Sequence, residues 1–285
     1  MWYSVDIKCK TGFEDSLSSF VFDSGFTGVE EFSNNGTTLL KAFYRSSSEE
    51  VDPIESLKEA IADSIERVGE EYVTINTVSE VPDEDWEVKW REGLGPIEIG
   101  ERLVVRPSWF KYDNVDDRAE IVIDPKMAFG TGSHETTRLI LEYLEKASLR
   151  DASVLDIGCG SGILAIGSVR LGARCAIGFD YEKASVENAA DNVRSNRVYD
   201  YVTVYQADLT DITPGRFNLV LANMISGALL PNLARIKRFI LPGGVVVFSG
   251  ILKEEERMFT AKLKEKGYSV EEVRTLGEWI SVEAS

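Results

Sequence analysis

The sequence predicts a small α+β unit followed by a larger α/β unit built on a mainly parallel, doubly wound sheet. Three observations predict it. Residues 1–80 run strand, helix, strand, strand, helix, strand. From Ile99 onward, short apolar runs alternate with stretches of helical period, the pattern of repeated βα units. Between them in weight stands Val154-Leu155-Asp156-Ile157-Gly158-Cys159-Gly160-Ser161-Gly162, a buried strand joined to an apolar helix by three glycines.

The elements follow in order. Trp2 to Lys10 alternates, with Trp2, Ser4, Asp6 and Lys8 on one face and Tyr3, Val5 and Ile7 on the other. Gly12 and Phe13 open a helix in which Leu17, Phe20 and Val21 recur at helical spacing. Gly28 to Ser33 and Thr37 to Tyr44 read as strands joined at Asn34-Asn35-Gly36, a hairpin signal. Asp52 fits as N-cap of a second helix with Pro53 in its first turn and a stripe of Ile54, Leu57, Ile61, Ile65 and Val68. Glu71 to Val78 closes as a strand, giving the split-βαβ, ferredoxin-like order over residues 1–80. Residues 81–98 carry acid, Pro and Gly punctuation and read as a linker. Its short helix puts Trp86 and Trp90 on one face, where they are expected to pack.

Residues 99–285 form the second unit. Leu103 to Val105 and Ile121 to Ile123 read as short strands, and Thr137 opens a helix continued by Leu139, Ile140, Tyr143 and Leu144. After the glycine turn and its helix to Leu171 come strand Cys175 to Phe179, helix Glu182 to Asn196 and strand Val202 to Gln206. Strand Phe217 to Ala222, a single helix Ala228 to Phe239 and strand Gly244 to Ser249 follow. A helix over Glu254 to Lys266 and a strand pair from Tyr268 to Val282 end the pattern, with an antiparallel strand at the last position.

Charge narrows the partners. The chain carries a net charge of −17, and residues 1–82 hold 16 Asp or Glu against 6 Lys or Arg, or −10 of that total. A broad basic face for nucleic acid is therefore not expected, whereas a Lys-rich protein partner would be attracted; acidic surface also serves solubility. No apolar run approaches the ~20 residues of a membrane span. Three cysteines without metal-like spacing suit a reducing, cytoplasmic setting, and the lone His134 excludes a multi-histidine metal site.

The glycine turn selects a nucleotide-like ligand, because backbone without Cβ atoms can approach it closely beyond the carboxyl end of a strand. Gly158, Gly160 and Gly162 are spaced Gly-x-Gly-x-Gly, and Ile163 stands where a dinucleotide fingerprint has its third glycine. That departure favours S-adenosylmethionine, which has no pyrophosphate to cradle, over NAD. Asp180 ends the next strand, placed to accept from ribose hydroxyls or to act as a helix N-cap. Asp208 follows the strand after it, where it could meet the adenine amino group. Asn223 ends the fourth strand, at the mouth of the site. Upstream, Phe129-Gly130-Thr131-Gly132-Ser133-His134-Glu135-Thr136-Thr137 offers threonine hydroxyls to the methionine end of the cofactor, or an N-cap from Thr136 or Thr137. For His134 a structural bond within the loop is favoured over general-base catalysis.

Residues 127–165, Met-Ala-Phe-Gly-Thr-Gly-Ser-His-Glu-Thr-Thr followed by Val-Leu-Asp-Ile-Gly-Cys-Gly-Ser-Gly-Ile-Leu-Ala, resemble the bacterial ribosomal protein L-eleven methyltransferase family. The likeness extends to Asp85-Trp86 with Trp90, Arg106-Pro107-Ser108-Trp109, Leu221-Ala222-Asn223 and Ser249-Gly250-Ile251-Leu252, nearly the whole chain. It implies a class I (Rossmann-like) methyltransferase domain over 99–285 and substrate recognition by residues 1–80. It also implies methylation of lysine side-chain and N-terminal amines of that ribosomal protein, with Thr137, Gly158, Asp180 and Asn223 at cofactor-contacting positions. Asn223 would orient the amine, with no dedicated base. One departure is Met224-Ile225-Ser226, where relatives commonly carry Ile-Leu-Ala, and it bears on the amine pocket.

Overall fold

A computed structural model describes residues 2–10, 21, 26, 28–34, 37–45, 73–81, 95–124 and 132–285. The expected helices beginning at Gly12 and Asp52, the Trp86/Trp90 helix and Phe129-Gly130-Thr131 lie outside these residues. The chain divides into two compact units, Met1–Gly93 and Leu94–Ser285.

In the first unit, β1 (Trp2–Lys10), β2 (Gly28–Asn34), β3 (Thr37–Arg45) and β4 (Val73–Val81) form an antiparallel sheet in the order β2-β3-β1-β4. The hairpin pairs Asn34 with Thr37 across residues 35–36, and β4 begins two residues later than its pattern suggested. Val5, Ile7, Leu40, Ala42 and Tyr44 alternate into one apolar cluster with Val21 and Phe26, as period-two patterning requires.

The second unit begins with a small sheet that was only partly foreseen. β5 (Ile97–Ile99) pairs antiparallel with β6 (Leu103–Arg106), which pairs parallel with β7 (Ala119–Val122). Glu145 ties this sheet to the following helix by accepting the backbone N–H groups of Glu101 and Arg102. The main sheet then builds from β8 (Ser153–Ile157), β9 (Cys175–Asp180), β10 (Val202–Gln206), β11 (Phe217–Asn223), β12 (Ile240–Leu252), β13 (Val270–Leu276) and β14 (Trp279–Ala284). Its order is β10-β9-β8-β11-β12-β14-β13, parallel except for β14, which runs antiparallel to both neighbours. The expected antiparallel last strand is thus present, inserted one place from the edge.

Helices α1 (Glu135–Lys146), α2 (Ile163–Arg170) and α3 (Lys183–Ser195) cover one face, where Ile140, Leu141, Leu144, Ile163, Ile166 and Val193 pack on Val154, Leu219, Leu221 and Val247. The other face buries Leu155, Ile157, Val220, Ala222, Val246 and Phe248 under α4 (Ser226–Leu229), α5 (Leu233–Ile236) and α6 (Glu256–Glu265). The single helix expected over Ala228 to Phe239 is in fact broken. Short α segments alternate with 3-10 turns at Leu230–Asn232 and Lys237–Phe239, because Pro231 has no N–H to continue an α ladder. Among the described residues no helix is long and apolar enough to cross a membrane.

Candidate active site

The chain leaves β8 toward β9 and β10 on one side, then crosses to β11 and β12 on the other. Sheet order therefore reverses at β8, and the crevice beyond its carboxyl end is where such sheets take ligands. Strand parity decides which side chains reach it. Val154, Ala176, Leu219 and Leu221 belong to the face covered by α1, α2 and α3, so Asp156, Asp180 and Asn223, each an even number of residues further on, point to that face.

The turn itself is built from left-handed glycines, with φ of +68° at Gly158, +50° at Gly160 and +79° at Gly162. At Gly162 an added Cβ would stand 3.2 Å from the Cβ of Ala189 on α3, so a side chain would crowd that helix as well as strain the backbone. Asp180 clasps the turn: its Oδ2 accepts the Gly160 N–H at 2.9 Å and its Oδ1 accepts the Glu182 N–H at 3.1 Å. Each carboxylate oxygen has a second lone pair, which leaves capacity for two ligand hydroxyls. Asp180 thus clamps the turn and braces the residue before α3; the N-cap itself is Glu182, two residues beyond the expected position.

Asn223 donates from Nδ2 to Thr137 Oγ1 at 3.3 Å, joining the end of β11 to the first turn of α1. Thr137 is buried, and it is not the N-cap. That place belongs to His134, whose Nδ1 accepts the Thr136 N–H and meets the Thr136 hydroxyl at 2.8 Å. The imidazole also lies edge-on to Trp279, with ring centroids 5.2 Å apart. The imidazole, two residues before Thr136, satisfies one of the orphan N–H groups of the first turn.

Asp208 stands apart. It is exposed, two residues beyond the end of β10, and its Oδ1 accepts both the Thr210 N–H (2.7 Å) and the Thr210 hydroxyl (2.6 Å). Those two donors hold its carboxyl below the usual carboxylate range. Two direct contacts pair the other residues, Asp180 with Gly160 of the glycine turn and Asn223 with Thr137. Asp208 shares neither.

Asp156 was not among the residues the sequence singled out. It is fully buried in β8; Oδ2 accepts the Ala165 N–H of α2 at 3.1 Å, while Oδ1 has no hydrogen-bond partner. Burial pushes its carboxyl up to about 7, with the charge of Asp180 adding to the rise and the Ala165 N–H opposing it. An acid inside the apolar run Val154-Leu155-Asp156-Ile157 was the available signal. Cys159 is a buried thiol inside the turn, and burial pushes its ionisation strongly upward, away from the thiolate form. A turn free of Cβ atoms and the two-oxygen clasp of Asp180 could together hold a ligand that carries hydroxyl donors.

Comparison with known proteins agrees in one direction. The family model "Ribosomal protein L11 methyltransferase (PrmA)" matches residues 2–285. A ribosomal protein L11 methyltransferase of Alkaliphilus oremlandii is 34% identical, over 99% of this chain and 97% of its own length. One from Clostridium botulinum (strain Eklund 17B / Type B) is also 34% identical, over 89% of this chain and 81% of its own. The crystal structure of a ribosomal protein L11 methylase from Lactobacillus delbrueckii subsp. bulgaricus superposes with a TM-score of 0.63 at 31% identity, covering 67% of this chain and 98% of that one. With a match along nearly its whole length and a parallel sheet that reverses at a glycine turn, the chain belongs to the ribosomal protein L11 methyltransferase family, enzymes that take their methyl group from S-adenosylmethionine.

Proposed function

We propose that the chain methylates lysine side-chain and N-terminal amines of ribosomal protein L11. When bound, S-adenosylmethionine supplies a methyl group on a positively charged sulfur, so the group transferred is already activated. Gly158, Gly160 and Gly162 let backbone approach the cofactor, Asp180 accepts from its ribose hydroxyls, and Thr137 lies toward its methionine end. Asp208 is assigned to the adenine amino group, for which its exposure at the end of the strand leaves access.

The observation that carries the reading is the Asn223–Thr137 hydrogen bond. With one of its two Nδ2 hydrogens given to Thr137 Oγ1, the Asn223 amide is held so that Oδ1, an acceptor, is available to an incoming group. An acceptor suits an amine nucleophile, which must present N–H groups while its lone pair points elsewhere. A lysine amine, of ordinary pKa about 10.4, must shed its proton first, and desolvation beside a cation favours that loss. Asn223 then acts by orientation, and orientation alone supplies a large share of such rates.

Residues 1–80 are assigned to recognition of the ribosomal protein, 81–98 to a linker and 99–285 to methyl transfer. The β2-β3-β1-β4 order supports a ferredoxin-like reading of the first part, and its acidity suits a basic partner. A cytoplasmic setting follows from a ribosomal substrate. The reading is tested by methyl transfer from labelled S-adenosylmethionine into purified ribosomal proteins, with mass mapping of the product. Label on amines of L11 is the expected result; label confined to another protein, or none, would refute it.

A further inference from the structure

Two of the three residues that follow Asn223, Met224 and Ser226, make specific contacts. Met224 extends the β11 ladder by donating its N–H to Ser249 O at 3.0 Å. Its main chain lies against Gly250, which sits at φ +84°; a Cβ there would come within 2.5 Å of the Met224 carbonyl oxygen. The Met224 thioether faces the cofactor turn, since a Cβ on Gly158 would stand 3.2 Å from its sulfur. Ile225 is exposed, and the chain then enters α4 at Ser226, which is buried. The Ser226 hydroxyl donates to Glu255 Oε1 at 2.5 Å, and the other oxygen of Glu255 accepts the Leu252 N–H at 3.1 Å. Residues 223–226 are therefore tied at one end to Ser249 and Gly250 and at the other to Glu255. An alanine in place of Ser226 could not make the second tie.

We propose that Glu255 is a positioning residue for methyl transfer: through Ser226 it locks the short loop that holds the Asn223 amide and seats Met224 on the glycine turn. The inference rests on the reading of Asn223 as the residue that orients the amine. A hydroxyl bonded to a carboxylate makes a short, strong hydrogen bond, and Glu255 is itself braced by a backbone N–H, so the tie is rigid. Only Met224 and Ile225 separate Asn223 from Ser226, so slack at Ser226 loads the Met224–Ser249 bond that ends the strand carrying Asn223. Misplacement of a reacting group by about 1 Å costs on the order of 100-fold in rate.

The test combines kinetics with a loop signal that does not depend on activity. Glu255→Ala is expected to lower kcat by about 10- to 100-fold, with S-adenosylmethionine affinity within about twofold of wild type. Ser226→Ala should do the same, and the double variant should be no worse than either single one, since both remove one tie. Glu255→Gln should recover most of the rate, because its amide can accept from Leu252 and donate to Ser226 Oγ. In full-length protein labelled at the methionine methyl carbons, the Met224 signal, assigned through Met224→Leu, should shift or broaden in Glu255→Ala and stay in place in Glu255→Gln. An unmoved Met224 signal, or an unchanged kcat, in Glu255→Ala overturns the proposal. If the wild type methylates no ribosomal protein, the functional reading fails, and the Met224 signal still decides whether the tie holds the loop.

Discussion

Asp156 holds a carboxyl where water does not reach, and the direction of its shift sets how stability responds to pH. Its folded-state pKa lies near 7, above the unfolded value. The folded chain therefore keeps a proton that the unfolded chain gives up, so stability falls as pH rises from about 4 to about 7, by at most roughly 4 kcal/mol. Asp156→Asn keeps the acceptor for Ala165 and removes the titration. Its urea midpoint should gain on wild type between pH 5 and pH 8, and a constant difference would count against a protonated Asp156. For Asn223→Ala, turnover should drop by about 100-fold while S-adenosylmethionine affinity, read by calorimetry, changes by less than about threefold. Unchanged turnover would remove Asn223 from the mechanism. Asp180 and Asn223 were legible in the sequence because residues at strand ends inherit the parity of the apolar run before them. Asp156 was not, because β8 is buried on both faces, so alternation along it carries no sign of which polar atom is left unpaired. His134 as N-cap was hidden for a related reason, since Thr136 and Thr137 compete for that role in composition and only geometry separates them.

At the scale of elements, the alternation of apolar runs and helical periods located β8 to β12 to within a few residues, because a buried parallel strand has few other ways to appear in sequence. The segment after β11 misled. Leu230, Leu233, Ile236 and Phe239 recur every three residues, which a 3-10 turn matches better than an α-helix, and Pro231 enforces the break. β5 is only three residues long and has too little pattern to register. β12 runs well past the expected Ser249 to Leu252, and that extension carries Gly250 against the chain after Asn223. Gly250→Ala meets both an unfavourable φ and a backbone carbonyl, neither of which can yield cheaply. It should cost roughly 2–3 kcal/mol in thermal or urea unfolding. A loss under about 0.5 kcal/mol would mean that β12 can move away from Met224.

For the whole molecule, charge and the division near residue 93 argue together. If the first unit recognises the substrate, a chain spanning Leu94–Ser285 should bind S-adenosylmethionine as the full protein does, yet lose on the order of 100-fold in kcat/KM toward ribosomal protein L11 with the remote contacts. Equal rates would show that the first unit is dispensable for recognition. If acidic residues 1–82 steer a basic substrate, KM for that substrate should rise several-fold from about 50 mM to about 500 mM salt while cofactor affinity barely moves. Cys159, sealed inside the glycine turn against Gly178, turns that turn into its own clock. An alkylating reagent reaches the half-buried Cys175 from solution but meets Cys159 only when β8, β9 and the turn part company, so the lag between the two adducts times the opening of the cofactor pocket in the native protein.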